Sequence, residues 1–230
     1  MDVNLTDEQQ MMVDSAREFL RDACPLATVR DWEKLPDRYP REIWARMAEM
    51  GWTGAIYPEA FGGLGLTNLD MALLMREMGR VALPGPILST VLLAGRAILA
   101  GGSEAQRQGL LPKIAAGEVL LSFALTEASA RPDAATVRTS ARAVGDGYVL
   151  NGTKHFVEFA EQAGQMLVVA RTSESANPGQ GLTMFLVDAR APGIEYIPLQ
   201  TLALQPQAKV VLKDVRVAAT GVVGRVDHAW

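Results

Sequence analysis

The sequence predicts an α+β chain: an all-α helical domain over residues 1–118, then an antiparallel β-barrel or sandwich domain over residues 119–230. Three observations predict it. Helix-start signatures, a hydroxyl residue followed three positions later by Gln or Asp, recur at Thr6/Gln9, Thr67/Asp70 and Ser103/Gln106, all in the first half. From Val119 onward the apolar spacing changes from helical to alternating and β-branched residues become frequent. Turn signals then arrive at short intervals, led by Gly145-Asp146-Gly147, whose residues tolerate the mirror-image turns that match strand twist.

In chain order, Thr6 and Gln9 form a capping box, and Val13, Ala16, Phe19, Leu20 and Ala23 follow at helical spacing until Pro25 stops the pattern. Arg41 to Met50 repeats the amphipathic signature through Ile43, Trp44 and Met47, with Gly51 suited to the C-terminal cap. Tyr57 to Leu66 is a Gly-rich turn. Its Gly62, Gly63 and Gly65 lack the GxGxxG spacing of a dinucleotide fingerprint. Thr67 with Asp70 starts the next helix, which Gly79 ends. Ile87 to Ala100 is apolar nearly all round, as a helix packed on several sides must be, and Ser103 with Gln106 caps a last helix. The strands expected are a first one ending at Leu125, Arg138 to Val144, Tyr148 to Leu150, Gln165 to Thr172, Leu182 to Asp188, Val210 to Leu212, Val215 to Val217 and Val222 to Val223. Asn151-Gly152 reads as a turn between strands.

Composition narrows the function classes. A hydrophobic content of 49% supports real cores, and 22 basic against 26 acidic residues leaves no electrostatic footprint for nucleic acid or an anionic membrane. The single cysteine, Cys24, excludes a disulfide within the chain and fits a reducing compartment. The acidic, amphipathic start lacks the layout of a secretory leader, and Val81 to Leu99 is broken by Pro84, Gly85 and Pro86, so a cytoplasmic protein is expected. Two histidines, His155 and His228, and one cysteine make no metal-ligand cluster, and no GxSxG elbow occurs. Gly147 to Lys154 approaches a P-loop in letters only, because the Lys follows the Thr and no helix start follows.

Several phrases nevertheless share one likeness. DGYVLNGTKHFV (Asp146 to Val157), FALTE (Phe123 to Glu127), PEAFGGLGL (Pro58 to Leu66), EMGR (Glu77 to Arg80) and LPKIAAGE (Leu111 to Glu118) resemble the phrases of acyl-CoA dehydrogenases. FLVDARAPGIEYIPL and the final VVLKDVRVAATGVVGRVDHAW also resemble that family's middle domain. The resemblance covers nearly the whole chain as the family's N-terminal helical and middle β domains. It implies FAD-dependent α,β-dehydrogenation of an acyl-CoA, with proton removal at Cα and hydride transfer from Cβ to flavin N5. It also implies electron-transfer flavoprotein or a similar acceptor as redox partner, and a homo- or hetero-oligomer of related subunits. The family's third, four-helix domain, which supplies the catalytic Glu, is absent from this chain, so no catalytic residue is expected within it.

Carried over residue by residue, the resemblance implies flavin contacts at Phe123, Leu125 and Thr126 and at Phe156, Val157 and Glu158. Five positions depart from the family's pattern. Ala128 replaces a Pro, Arg131-Pro132 replaces a Gly-Ser pair, Glu158 stands where a Thr or Ser is usual, and Phe159 replaces an Asn. Pro132 removes a hydroxyl and an amide donor, and Arg131 supplies a guanidinium suited to phosphate, so these two are expected on the substrate and pyrophosphate side. Glu158 is expected to turn to solvent, to carry a proton, or to mark weak or lost flavin binding. A non-catalytic subunit paired with an active homologue, and a flavin oxidase or monooxygenase on the same scaffold, are the alternative readings.

Overall fold

Thr6 is the N-cap of α1 (Asp7–Ala23), with both arms of its capping box to Gln9 in place. The computed structural model describes residues 4–129, 133–203 and 205–230. Past Pro25 a short α2 (Leu26–Trp32) forms that the sequence pattern does not reveal, and α3 (Arg41–Glu49) follows. Gly51 then takes the left-handed conformation at φ 76°, as a helix end requires.

α4 (Asn68–Arg80) is capped by Thr67 and Asp70, and the Asp70 carboxylate also accepts from the Gln9 side chain at 2.7 Å, so one cap is tied to the other. Further along α4, the buried Glu77 carboxylate accepts from Arg17 of α1 at 3.0 Å and pairs with Arg76 and Arg80. These cations hold its pKa below the ordinary carboxylate range. EMGR is thereby a clamp between α1 and α4.

The helix expected over Ile87 to Ala100 divides in two: Ile87–Gly95 is a π-helix and Arg96–Gly101 is α5. Tyr57 accounts for the geometry. Its hydroxyl donates to the Val91 carbonyl at 2.9 Å, and a Cβ on Gly95 would lie 1.8 Å from that oxygen, so the ring occupies the space a side chain would need. α6 (Glu104–Ala115) carries the third capping box, at Ser103 and Gln106.

The second half is one eight-stranded, mostly antiparallel sheet: β1 (Leu121–Ala124), β2 (Ser140–Val144), β3 (Gly147–Glu158), β4 (Gln165–Arg171), β5 (Leu182–Asp188), β6 (Ile194–Leu199), β7 (Gln207–Ala218) and β8 (Val222–Val223). The order is β6-β7-β3-β2-β4-β5-β8, with β1 added parallel to β4. The sheet curls around its own core. Tyr148 of β3 meets Phe185 of β5 across the interior at 4.9 Å between rings, and the Tyr196 hydroxyl of β6 donates to the Ala189 carbonyl just past β5.

The expected turn at Asn151-Gly152 is not a turn. Both residues lie inside β3, where the register against β7 slips between Leu150 and Gly152. Gly is needed there because a Cβ would stand 2.5 Å from the Thr139 hydroxyl, so Asn-Gly serves a strand irregularity and a close approach. The two strands expected at Val210 to Leu212 and Val215 to Val217 are one strand, β7, which passes Asp214 at φ 52°. β6 does not emerge from the sequence pattern, because its alternation is half-exposed and interrupted by Pro198.

Helices and sheet share a third layer of core. Trp44, Tyr57, Val91, Ile98, Leu111 and Ile114 pack against Leu121, Phe159, Leu167 and Val223. The Thr90 hydroxyl pins the layers by donating to the Leu121 carbonyl at 2.8 Å and accepting from the Leu121 amide at 3.1 Å.

The Gly-rich turn provides a test. A Cβ on Gly63 would stand 2.0 Å from the Tyr57 carbonyl oxygen, whereas one on Gly109, within α6, meets nothing within 4 Å. Gly63→Ala is expected to destabilise the fold by about 2 kcal/mol or more, and Gly109→Ala to stabilise it by about 0.5–1 kcal/mol, read as midpoints of urea unfolding. Equal midpoints for the two variants would contradict the close approach.

Candidate functional site

The strand β1 stops at Ala124, one residue before the expected end, because the next carbonyls leave the ladder. The Leu125 carbonyl accepts from Lys154 Nζ at 3.1 Å, and the Thr126 carbonyl accepts from the His155 amide at 2.8 Å. At the other end, the Ser122 hydroxyl donates to the Glu158 carbonyl at 2.8 Å. The segments 122–126 and 154–158 therefore lie side by side, although some thirty residues separate them in the chain.

Lys154 and Glu127 fix this alignment. The Lys154 side chain is fully buried, and its ammonium stands 2.7 Å from the Glu127 carboxylate, itself only 8% exposed. Glu127 also accepts from the amides of Arg138 at 2.8 Å and Thr139 at 2.9 Å, so one carboxylate gathers the end of β1, the approach to β2 and the middle of β3. Burial opposes the charge on Glu127, but Lys154 and the Thr139 amide outweigh it and hold its pKa below the ordinary value. Burial lowers the Lys154 pKa against the pull of Glu127.

The sequence-predicted residues divide by environment. Phe123 and Leu125 are half-buried, packed against core clusters, and Thr126 is half-buried with no partner for its hydroxyl among the described residues. Val157 points into the sheet core, so only its backbone faces outward. Phe156 is 56% exposed and adopts φ 55°, an unusual conformation for a bulky residue. It sits where the β3–β7 register slips a second time, between Lys154 and Val157. Phe159, which follows β3 at φ 51°, is fully buried and meets Tyr39 edge-on at 5.7 Å. Arg131 and Pro132 lie outside the described residues.

Glu158 turns neither fully to solvent nor into the sheet core. It is half-buried, opposite Gln207 of β7 in the register. Burial raises its pKa, and a hydrogen bond from the Gln207 side chain moderates the rise. It lines a cavity of about 310 Å³ between the helical half and the sheet. Ile43, Trp44 and Met47 of α3, Met75 and Met78 of α4, and Leu83, Ile87 and Leu88 form the apolar wall, and Glu158, Gln205 and Gln207 form the polar one. A second cavity, about 440 Å³, lies beyond the ion pair among Glu127, Ser129, Arg138, Thr139 and His155. Among the described residues no cluster could hold a metal ion, and no helix is long and apolar enough to cross a membrane.

The sequence matches the models of the acyl-CoA dehydrogenase N-terminal domain over residues 6–118 and middle domain over residues 122–215. The chain belongs to the acyl-CoA dehydrogenase family. It is 34% identical to acryloyl-CoA reductase (NADH) of Anaerotignum propionicum over 98% of this chain and 58% of that protein. It is 30% identical to acyl-CoA dehydrogenase FadE29 of Mycobacterium tuberculosis over 100% of this chain and 60% of that protein. Among solved structures, the glutaryl-coenzyme A dehydrogenase complex with glutaryl-CoA superposes with a TM-score of 0.89 at 29% identity, over 99% of this chain and 59% of that one. The ChsE4-ChsE5 complex of Mycobacterium tuberculosis superposes at 0.88 with 28% identity, over 100% and 59%. The chain thus spans about 60% of the length of these acyl-CoA dehydrogenase relatives. Members of the family are FAD-dependent flavoproteins.

Residues that motif reading passes over are the cavity wall and Gln207. They come from α3, α4 and β7, and only the fold joins them. The pairing of Lys154 with Glu127 was equally hidden, although both residues lie within resembling phrases.

The ion pair carries a double test. Glu127→Gln leaves a buried ammonium without its counter-charge and is expected to cost about 3–5 kcal/mol, and adding Lys154→Met is expected to restore part of that loss. The pH dependence has a defined sign. With the Glu127 pKa depressed in the folded state, its stabilisation is present above the unfolded value and is lost as pH falls through the folded one. Denaturant midpoints measured from pH 7 down to pH 3 should therefore fall less steeply for the double variant. An unchanged slope in the double variant would refute the assignment.

Proposed function

We propose that this chain forms the flavin- and acyl-facing part of an enzyme that oxidises acyl-CoA thioesters at the α,β-bond. The observation that supports this best is the alignment of segments 122–126 and 154–158 beside the cavity that Glu158 lines. The residues present fit the isoalloxazine part of FAD. Phe156 is an aromatic ring held outward, and the Thr126 hydroxyl is free among the described residues to bond a heteroatom. The chemistry that FAD supplies when bound is acceptance of the hydride that leaves Cβ.

Each part of this chain then has a task. Phe156 offers a stacking face, and the backbone at Val157 and the Thr126 hydroxyl orient the ring system. The Lys154–Glu127 pair holds both segments in register, acting as a positioning device. The apolar wall built by α3 and α4 excludes water from the acyl group. The resemblance assigns Arg131 and Pro132, which lie outside the described residues, to the phosphates of cofactor and substrate, where a guanidinium suits an anion. Removal of the α-proton is assigned to no residue of this chain. Electron-transfer flavoprotein or a comparable carrier is the acceptor, and the assembly is an oligomer of related subunits.

A non-catalytic, flavin-free subunit is the second reading, favoured by the carboxyl of Glu158 where a hydroxyl is usual. One titration separates the two. Purified protein is expected to take up FAD with quenching of flavin fluorescence, and Phe156→Ala to weaken uptake by about tenfold. Protein that stays colourless in excess FAD sinks the enzymatic reading and leaves the second.

A further inference from the structure

We infer that the cavity between α3, α4 and the end of β3 selects an apolar acyl group that carries a hydrogen-bond donor, such as a hydroxyl, and that Glu158 is the residue that recognises it. This rests on the acyl-CoA reading above and names the substrate class of the same site.

The cavity's two walls differ in kind. The helical wall is apolar, built from Ile43, Met47, Met75, Met78 and Leu83, while Glu158, Gln205 and Gln207 supply polar groups on the opposite side. Glu158 is the one charged side chain among the described residues lining it. Two other buried carboxylates are matched by cations, Glu77 by Arg17, Arg76 and Arg80 and Glu127 by Lys154, while the third, Asp70, is satisfied by three neutral donors, the Thr67 amide and hydroxyl and the Gln9 side chain. Glu158 has the Gln207 side chain, and no lysine or arginine lines the cavity among the described residues.

A carboxyl group has acceptor oxygens in either protonation state, and one neutral amide does not satisfy them all. Filling this cavity with a plain alkyl chain would strip water from Glu158 and offer nothing in return. A ligand hydroxyl or amide N–H restores a hydrogen bond, and a ligand carboxylate is repelled. The apolar wall still requires that the body of the ligand be hydrocarbon. Burial raises the pKa of Glu158, which fits a carboxyl awaiting a partner supplied from outside the chain.

Isothermal titration calorimetry of the protein with octanoyl-CoA, 5-hydroxyoctanoyl-CoA and 8-hydroxyoctanoyl-CoA tests the assignment. At least one hydroxylated thioester is expected to bind about tenfold tighter than octanoyl-CoA. Glu158→Leu is expected to abolish that preference while retaining octanoyl-CoA, and Glu158→Gln, whose amide oxygen still accepts, to keep part of it. Equal affinity for all three in the unaltered protein, or an undiminished preference in Glu158→Leu, overturns the assignment while leaving the acyl-CoA reading intact. If none of the three binds the unaltered protein, the acyl-CoA reading and this assignment fall together.

Discussion

The buried pair of Lys154 and Glu127 is the constraint on which the arrangement of the site depends. A fully buried ammonium has no tolerable state except one with an anion and acceptors around it, and Glu127 and the Leu125 carbonyl supply both. Glu127 is equally committed, since it also satisfies the amides of Arg138 and Thr139. Three chain segments consequently meet at one carboxylate. The strand ladder alone would leave β1 free to continue past Ala124. The pair stops it there and turns the Leu125 and Thr126 carbonyls toward β3. Phe156 then projects from a strand whose preceding residues are locked, which is the setting in which an exposed aromatic in a left-handed conformation can persist.

A second constraint sets the position of the helical half. Tyr57 and Thr90 each join a buried hydroxyl to a backbone carbonyl of another segment, and neither has water available as an alternative. Tyr57 holds the π-helix from one side, and Thr90 holds it to β1 from the other. The cavity wall that α3 and α4 present is thereby referenced to the same strand that carries the putting-together of segments 122–126 and 154–158. Helix and sheet do not simply adjoin; they are keyed by buried hydrogen bonds whose loss would leave unsatisfied groups in the shared core.

Local chemistry made much of this legible in the sequence. Thr6, Thr67 and Ser103 each announce a helix by satisfying amides within three residues, and the Gly145-Asp146-Gly147 turn joins β2 to β3 as its φ preferences demand. The failures are cases where a distant residue decides. Asn151-Gly152 has the letters of a turn, yet Gly152 is required by Thr139 packing against it. The π-helix depends on Tyr57, which lies thirty residues earlier, and β6 depends on β7 as its pairing partner. The resemblance identified the two segments that meet, but the reason for their meeting is an ion pair spanning 27 residues. Sequence spacing carries no trace of such a pair.

Glu158 shows how one position can answer to two demands. Near a flavin, an ionised carboxyl would oppose the negative charge of the reduced ring, so a raised pKa is compatible with redox chemistry in a way that a cation-paired carboxylate is not. Near an acyl group, the same carboxyl makes a wholly apolar ligand costly and a hydrogen-bonding one favourable. Pairing Glu158 with a lysine would have removed its cost in the empty cavity, as Lys154 does for Glu127, but would also have fixed its charge. Its partner is instead Gln207, a neutral side chain on the facing strand. A neutral partner, unlike a lysine, leaves the protonation of Glu158 open to what fills the cavity.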